Sequence, residues 1–520
     1  MSAHSGIGPA LPLRRLRRGP VPLWMLALPI GAVLLLPLVF VGVQASSAGW
    51  SRALHLLRLP HVNELLVNTV ELVVLVTPLC AIIGGGAAWL LERTDLPGRR
   101  VWAVALALPL AVPEFVNGYA WIGLDDRVHG LAGAVLVSTL SYYPLVMLPA
   151  IASLRRADAA LEDVARSQGL RSLAVFTRVT LPQLRLALLG GGLIIALHLL
   201  AEYGAFALLG FRTFTTEIYN EYQLGFDAAS SAILSLVLVA LCLLLLGAES
   251  GLQGRTPPTS ETPARRRRSP LGLRRVPALL GLGALLALAM GVPVGALVYW
   301  LVVGSSTTLP SASIGGAAMS TIGLGLAAAA ITTLAAIPVA VLAVRYPTRL
   351  ARMLERSAYL ARAMPGLIIA LALAYFAVRH AFGLYQSPVL LVTAYAVLFF
   401  PLALIAMRPS IAQASPRLEE AARSLGQPPL SVFRRVTLPL IAPGLAAAVS
   451  IVFLSSVTEL TATLVLRPTG TETLATRFWT YSSGLAYGAA APYAALMIAI
   501  SAIPTYLLVR WFDALAETST

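Results

Sequence analysis

The 520-residue chain contains no lysine, so arginine supplies all 38 of its basic residues. A nucleotide-binding P-loop ends in Gly-Lys followed by Ser or Thr, and its lysine contacts the phosphates of ATP. The chain therefore cannot bind ATP by that route. We exclude the P-loop ATPases as a class for this protein.

Cysteine, histidine and charged residues are also scarce. The chain has 2 cysteines and 6 histidines, and only 12% of its residues are charged. Cys80 and Cys242 both fall in apolar runs, which predicts buried free thiols rather than a disulfide framework or a metal cluster. The scattered histidines give no cluster of the kind that a membrane-embedded enzyme needs. We expect neither a metal site nor a catalytic centre on this chain.

Long apolar runs dominate what is present. Hydrophobic residues make up 58% of the chain and the mean hydropathy is +0.80, as in a polytopic helical membrane protein. Because a spanning helix needs about 20 mostly apolar residues, we predict an all-α fold of about twelve spans. These are 22–44, 65–91, 101–123, 131–153, 185–209, 228–249, 277–303, 319–344, 357–380, 388–407, 443–466 and 491–511. The first run is long for a cleaved signal peptide and is predicted to be retained.

Arginine placement predicts which way the loops face. Arginines cluster before span one and after spans two, four, six, eight and ten, which are alternate loops. We therefore expect both termini in the cytoplasm. This placement explains the net charge of +15, so that charge does not indicate nucleic-acid binding. Residues 251–276 form a predicted cytoplasmic linker between a first half, 1–250, and a second half, 277–520.

One polar phrase occurs twice in this apolar chain. EDVARSQGLRSLAVFTRVTLPQ at 162–183 aligns without a gap with EEAARSLGQPPLSVFRRVTLPL at 419–440, at an offset of 257 residues. The same offset places Glu202 on Glu459, so the repeat continues into the next span. Both copies follow a span of the same polarity. We therefore predict two parallel halves related by a pseudo-two-fold axis along the membrane normal.

Each copy of the phrase predicts a short helix, a turn and a second amphipathic helix. Gly169 and Gly426 can take the left-handed backbone conformation that ends a helix. Pro182 and Pro439 stand where the next spanning helix begins, a position that tolerates proline. We expect two rigid cytoplasmic segments that present carboxylate and guanidinium groups to a partner with two-fold symmetry.

Both phrases resemble the EAA loop of ATP-binding-cassette importer permeases, in which Glu-Ala-Ala precedes a Gly and a hydrophobic-x-Leu-Pro ending. The first copy departs from this pattern at Asp163 and Val164. The resemblance implies the type I importer permease fold, with coupling loops at 160–183 and 417–440 that insert into two ATPase subunits. The residues that it assigns to coupling are Glu162, Asp163, Ala165, Gly169, Leu181, Pro182, Glu419, Glu420, Ala422, Gly426, Leu438 and Pro439.

The resemblance also implies the remaining partners. ATP and Mg²⁺ would be held by the ATPase subunits, and a periplasmic or lipid-anchored binding protein would deliver the substrate. The chain itself would be a non-catalytic permease that contacts membrane lipid. Segments 198–222 and 455–479 resemble ferric-iron permeases, which implies iron as the substrate. Thiamine, polyamines and phosphonates remain alternatives, because related fused permeases carry them.

A self-sufficient secondary transporter with twelve helices is the alternative of another class. Such a transporter needs ion or proton sites within the membrane, and few charges fall inside the predicted spans beyond Glu202 and Glu459. It also has no need of a doubled cytoplasmic loop. The importer permease explains the repeat better.

Glu202 and Glu459 are the candidates for the translocation pathway. An ionisable group inside a membrane is costly and should face protein or water rather than lipid. The pair could line the route and offer negative charge to a cation. Alternatively, each carboxylate could cap backbone, or pair with Arg212 or Arg467. His198 lies one turn before Glu202, but a hydrogen-bonded interior histidine is a better interpretation than a metal ligand.

Aromatic residues follow the fifth and eleventh spans on the outer side. They suit either a gate beneath the binding protein or an interfacial belt. The outer-gate candidates are Tyr219, Tyr222, Arg467 and Trp479. Glycines 84–86 are predicted to allow close helix packing.

Overall fold

The computed structural model describes residues 20–47, 49–156, 159–225, 227–252, 269–304, 311–362 and 364–517. The arginine clusters at 14–18 and 265–268, and most of the predicted linker, lie outside these residues. Within them the secondary structure is helical, apart from turns and an isolated pair of bridged residues, Thr94 and Ser269. The all-α prediction is confirmed.

The described residues form thirteen α-helices in the first half of the chain and twelve in the second. Those of the first half are α1 (Val21–Ser47), α2 (Trp50–Leu57), α3 (Pro60–Arg93), α4 (Arg99–Ala105), α5 (Glu114–Leu124), α6 (Gly130–Tyr142), α7 (Pro144–Arg156), α8 (Ala159–Ser167), α9 (Ser172–Val175), α10 (Leu181–Ala201), α11 (Gly204–Leu208), α12 (Phe214–Gln223) and α13 (Ala228–Leu252).

Those of the second half are α14 (Arg275–Leu286), α15 (Val292–Val303), α16 (Ser311–Arg345), α17 (Arg349–Arg362), α18 (Gly366–His380), α19 (Pro388–Gln413), α20 (Pro416–Ser424), α21 (Pro429–Val432), α22 (Leu438–Val457), α23 (Thr461–Leu466), α24 (Leu474–Ser483) and α25 (Tyr487–Glu517).

Ten helical stretches of the described residues are long and apolar enough to span a membrane, and two bent helix pairs raise the number to twelve. The sequence predicts continuous spans over 101–123 and 357–380, and this prediction is wrong. The chain bends by 90° between Arg99–Ala111 and α5, and by 108° between α17 and α18. Each following helix begins directly after a proline, Pro113 or Pro365. Pro113 and Pro365 have extended ψ angles of 141° and 147°, so the chain turns at each of them before the next helix begins.

Two predicted spans also end earlier than expected. The sequence predicts helices to 209 and 466, whereas α10 ends at Ala201 and α22 ends at Val457. Short helices, α11 and α23, follow each break after two or three residues. The candidates Glu202 and Glu459 therefore lie in irregular backbone at the breaks rather than within a span. Non-helical backbone at membrane depth is tolerated only where protein or a water-filled cavity surrounds it.

The hydrophobic cores do not follow the two halves of the sequence. One core joins α1 of the first half to α16, α18 and α19 of the second, and includes Leu34 and Leu373. The other joins α14 and α15 of the second half to α3, α5 and α6 of the first, and includes Leu297 and Tyr119. The first helix of each half thus packs on the opposite half. This exchange ties the halves together by burial of apolar surface.

The Gly-Gly-Gly stretch in α3 lies against α7 and α10. A Cβ atom added to Gly84 would come within 2.5 Å of the Tyr143 carbonyl oxygen, and one on Gly85 within 3.3 Å of the Leu188 side chain. Nothing lies within 4 Å of the corresponding position on Gly86. The predicted close packing is confirmed at Gly84, which directly opposes backbone.

Candidate functional site

The two copies of the repeated phrase fold into the same turn. Gly169 and Gly426 have φ angles of +82° and +78°, in the left-handed region. The residue after each glycine donates its N–H to the carbonyl five positions earlier, from Leu170 to Ala165 at 3.2 Å and from Gln427 to Ala422 at 3.2 Å. This bond pattern ends a helix in a Schellman turn. The predicted glycine C-caps are confirmed in both copies.

A π-helical turn precedes each Leu-Pro ending. It covers Phe176–Thr180 in the first copy and Phe433–Thr437 in the second, and it runs without a break into α10 or α22. Pro182 and Pro439 are among the first residues of those helices. Proline lacks an N–H, so it cannot donate to the preceding turn, and a wider turn accommodates that loss.

The glutamates that open each copy point into the protein, contrary to the expectation that they face outward. Glu162 is 7% exposed; its Oε1 lies 3.2 Å from Arg93 Nη2 and accepts a hydrogen bond from Thr180 Oγ1 at 3.0 Å. Arg93 is the last residue of α3, and Thr180 immediately precedes α10. A carboxylate that joins two spanning helices is well placed to fix α8 beneath them.

The second copy repeats the arrangement. Glu419 is 8% exposed; its Oε1 lies 2.7 Å from Arg345 Nη1 and accepts from Thr437 Oγ1 at 2.9 Å. Arg345 also donates to the Ala414 carbonyl at 3.3 Å. We call each set of three residues, Arg93–Glu162–Thr180 and Arg345–Glu419–Thr437, an anchor triad. The sequence places the two glutamates in register but gives no sign of their arginine partners.

Other residues form the exposed surfaces of α8 and α20. Asp163 and Glu420, the acidic residues next to the buried glutamates, are exposed. Large apolar side chains are exposed beside them, at Leu161, Val164, Leu418, Leu425 and Leu430. Of the other predicted coupling residues, Gly169, Gly426, Pro182 and Pro439 are exposed, Leu181 is 38% exposed, Ala422 and Leu438 are half-buried and Ala165 is buried. Exposed apolar groups rimmed by charge mark a surface that another protein covers.

Glu202 and Glu459 each accept a backbone hydrogen bond at the break that holds them. Glu202 Oε1 accepts from the Ala205 N–H at 2.8 Å, and Glu459 Oε1 from the Ala462 N–H at 2.7 Å. The capping alternative is therefore correct. The arginine alternative is wrong, because Arg212 pairs with Glu217 at 3.1 Å and Arg467 pairs with Glu472 at 2.7 Å.

The two breaks contact each other across the boundary between the halves. A Cβ atom added to Gly204 would lie 2.8 Å from the Leu460 side chain and 3.0 Å from Phe115 Cβ, so the residues next to Glu202, Glu459 and Glu114 meet in one region. Sequence reasoning missed Glu114, which opens α5 directly after Pro113. An acidic residue beside a proline in an otherwise apolar run was the available signal. The backbone break there brings Glu114 to the same region as Glu202.

His198 behaves as an interior hydrogen-bonded histidine. Its Nδ1 lies 2.8 Å from the Ile194 carbonyl oxygen one turn earlier, and its ring centroid lies 5.3 Å from that of Tyr142. The described residues contain no group of three or more His, Cys, Asp or Glu side chains arranged to hold a metal ion.

The outer-gate candidates divide into two groups. Tyr219 and Trp479 both contact Tyr203, with ring centroids 4.4 Å and 5.3 Å away. Tyr203 directly follows Glu202, so this three-ring cluster covers the break and joins the two halves. Tyr222 and Arg467 instead line a separate cavity of about 540 Å³ with residues that include Tyr385 and Glu472.

Comparisons with known proteins agree with this geometry. The family described as binding-protein-dependent transport system inner membrane component matches residues 26–255 and again 336–519. The Fe(3+)-transport system permease protein FbpB 2 of Haemophilus influenzae is 39% identical over 506 residues, which cover 95% of this chain and 99% of that protein.

Two further relatives match about half of the chain. The sulfate transport system permease protein CysW of Escherichia coli is 26% identical over 43% of this chain and 84% of its own length. The molybdenum transport system permease protein ModB of Mycobacterium tuberculosis is 29% identical over 46% of this chain and 97% of its own length. Both are the length of one half, as expected if the chain contains two copies of the unit.

Proposed function

The chain belongs to the family of binding-protein-dependent transport system inner membrane components, and on that premise we propose that it carries ferric iron across a bacterial inner membrane. The chain is the permease of an ATP-binding-cassette importer, with its repeated unit fused in a single polypeptide. The observation that carries the iron assignment is the 39% identity to a Fe(3+)-transport permease along almost the whole of both chains.

The residues at the breaks favour a cation over the anions named for other relatives. Glu114, Glu202 and Glu459 place three carboxyl groups in the region where the halves meet, and in their ionised form these groups carry negative charge. Such groups attract a trivalent cation and repel sulfate or molybdate, since like charges repel strongly where water is scarce. We assign Glu202 and Glu459 to the translocation pathway, and the cluster of Tyr203, Tyr219 and Trp479 to an outer gate that closes above them.

We further propose that two ATPase subunits dock on the cytoplasmic side, one on α8 and one on α20. The exposed apolar residues of these helices, including Leu161, Val164 and Leu418, supply the contact surface. ATP and Mg²⁺ bind to those subunits, and the permease itself catalyses no reaction. A periplasmic or lipid-anchored binding protein delivers the iron to the opposite face. Both termini then lie in the cytoplasm, consistent with the arginine distribution.

The anchor triads explain how ATPase movement reaches the pathway. When ATP closes the two ATPase subunits, α8 and α20 are drawn together. Each helix is tied to the end of a long helix through Arg93 or Arg345, and to the next spanning helix through Thr180 or Thr437. The spanning helices therefore move with the docking helices and turn the cavity outward. ATP hydrolysis resets the arrangement by rigid-body motion of the same elements.

Substrate selectivity tests the iron assignment. The permease, with its ATPase subunits, is reconstituted into vesicles and supplied with the iron-loaded binding protein. We expect ATP-dependent uptake of radioactive iron that excess sulfate or molybdate does not reduce. Uptake of either anion in place of iron, under matched conditions with its own binding protein, would contradict the assignment. Thiamine, a polyamine and a phosphonate serve as further competitors in the same assay.

A further inference from the structure

A buried polar ladder joins α5 and α6 in the first half only. Ser138 Oγ donates to Glu114 Oε1 at 2.5 Å, and one turn further along Asn117 Nδ2 donates to Ser141 Oγ at 2.8 Å. Glu114 is 5% exposed and Asn117 is 1% exposed. Two oxygens of the ladder, Asn117 Oδ1 and Glu114 Oε2, have no hydrogen bond of normal geometry among the described residues, although Tyr142 lies beside the Glu114 carboxylate. Buried acceptors left in this way are uncommon in folded proteins.

The packing of α5 brings this ladder against the break that carries Glu202. A Cβ atom added to Gly204 would lie 3.0 Å from Phe115 Cβ, and one on Gly118 would lie 3.7 Å from Ala205 Cβ. Glu114 therefore begins a helix whose next residue touches the backbone two positions beyond Glu202. This contact places the Glu114 carboxyl in the same region as the Glu202 carboxyl.

Among the ion pairs of the described residues, none involves Glu114, Glu202 or Glu459. Placing like charges together in a region of low dielectric is unfavourable, and the arrangement is stable only with a proton or a cation between them. The N-terminal end of α5 adds partial positive charge near Glu114 but does not replace a counter-ion.

The second half lacks this ladder at the equivalent positions. Gly366 opens α18 directly after Pro365, as Glu114 opens α5 after Pro113. Ile369 stands where the first half has Asn117 and is fully buried. A Cβ atom on Gly366 would lie 3.2 Å from Glu459 Oε1, so the equivalent site holds one carboxylate where the first half holds two. Helix packing alone does not require the ladder, since the second half packs the same helices without it.

We propose that Glu114 is a cargo-binding residue which, with Glu202, forms a carboxylate site for a hard trivalent cation on the first-half side of the route. The inference rests on the proposed function. It adds Glu114 to the two carboxylates already assigned to the pathway, and it makes the two halves unequal in cation binding. The oxygens of Glu114, Glu202 and Asn117 supply the donors that such a cation prefers. The described residues contain no group of three or more His, Cys, Asp or Glu side chains that could hold a metal ion. A site with few ligands suits a cargo that must leave as readily as it binds.

The first test compares iron uptake by charge-altering variants of the reconstituted complex. Glu114→Gln keeps the size of the side chain and an acceptor for Ser138 but removes the charge, and we expect uptake per ATP hydrolysed to fall by about tenfold or more. Glu114→Asp keeps the charge and should retain most of the uptake. Glu64→Gln removes an exposed carboxylate from α3 and is the matched control, which should transport like the unaltered protein.

The second test measures binding directly on the purified permease, with terbium(III) as the probe. Tyr142, beside Glu114, can sensitise the luminescence of a bound terbium ion. We expect Glu114→Gln to weaken terbium binding by about tenfold, and Ser138→Ala, which breaks the ladder but keeps the carboxylate, to leave most of the binding intact.

Three outcomes would overturn the proposal. These are uptake and terbium affinity of Glu114→Gln equal to those of the unaltered protein, equal losses in Glu114→Gln and Glu114→Asp, or equal losses in Glu114→Gln and Ser138→Ala. Failure of the unaltered protein to take up iron would count against the proposed cargo instead. The experiments therefore distinguish failure of the Glu114 site from failure of the iron assignment.

Discussion

The two halves of this permease are alike at the repeated loops and different at the backbone breaks. At the loops, both halves have the same left-handed glycine, the same π-helical turn and the same anchor triad. At the backbone breaks, the first half has Glu114 and Asn117 where the second has Gly366 and Ile369. The proposed docking of ATPase subunits on α8 and α20 would account for the likeness, whereas the proposed cation site needs Glu114 in the first half alone.

A second difference lies in the connection between the halves. Asp95 follows α3 and accepts the Leu271 N–H at 2.9 Å and Arg275 Nη2 at 2.9 Å, so it holds the start of the second half. At the equivalent place after α16, two residues beyond Arg345, the chain has Pro347. This contact exists only in the first half, because only the first half is followed by another.

The largest expected effect comes from breaking the anchor triads one at a time. Arg345→Ala leaves Glu419 buried without its closest cation, and loss of one partner from a buried pair costs about 3–5 kcal/mol. We expect thermal stability and iron uptake to fall, and ATP hydrolysis to continue without matching transport. Arg93→Ala should have a smaller effect, because the Arg93–Glu162 distance is 3.2 Å against 2.7 Å for Arg345–Glu419.

The controls for this comparison are Arg178→Ala and Arg435→Ala, which remove exposed arginines from the two coupling loops. These should change stability little, since exposed charges contribute little. If the triad variants behaved like these controls in uptake and in thermal unfolding, the triads would not transmit movement. A larger loss from Arg93→Ala than from Arg345→Ala would reverse the ranking of the two halves.

The smallest expected effect comes from Asp95→Asn at the connection between the halves. The backbone N–H of Leu271, with help from Arg275, lowers the pKa of Asp95 below its ordinary value of 3.8. The folded state favours the charged form, so this stabilisation is complete above about pH 4 and is lost as the pH falls through the lowered pKa. At pH 7 we expect hydrogen exchange at the Leu271 amide to be about two- to fivefold faster in the variant.

The pH dependence provides the control for that experiment. At a pH well below the lowered pKa, the carboxyl of the unaltered protein is protonated, and the difference between the two proteins should shrink. Exchange rates that matched at pH 7 would show that Asp95 does not hold the connection. Iron uptake should be almost unchanged in this variant.

Much of this account could be predicted from the sequence. The repeat, the glycine turns and the helical spans depend on local spacing, and each was readable from the chain. The sequence did not show that Glu162 points into the protein. Glu162 and Asp163 are both acidic, and which of them is buried depends on Arg93, which lies on another helix. Sequence reasoning missed Glu114 because its neighbour Glu202 is also far away in sequence. A single carboxylate in an apolar run belongs to no repeating pattern that would indicate a site.

Pro113 and Pro365 are a partial signal for the broken spans, since proline biases the residue before it away from the helix. Proline also stands inside the unbroken helices α3 and α16, so proline alone does not mark a break. Hydropathy alone predicts one continuous span at each break, because the segments on both sides of the proline are apolar. The exchange of the first helices between the halves has no local signal. It depends on which apolar surfaces are complementary, and only the folded chain decides that.

The central claim is that this chain is a pore driven by separate ATPase subunits. The most direct test is iron uptake into vesicles containing the purified permease, with and without those subunits, at saturating ATP and iron-loaded binding protein. The account predicts uptake only when ATPase subunits and ATP are both present. Uptake that continued without the ATPase, driven by an ion gradient alone, would contradict it and identify a secondary transporter instead.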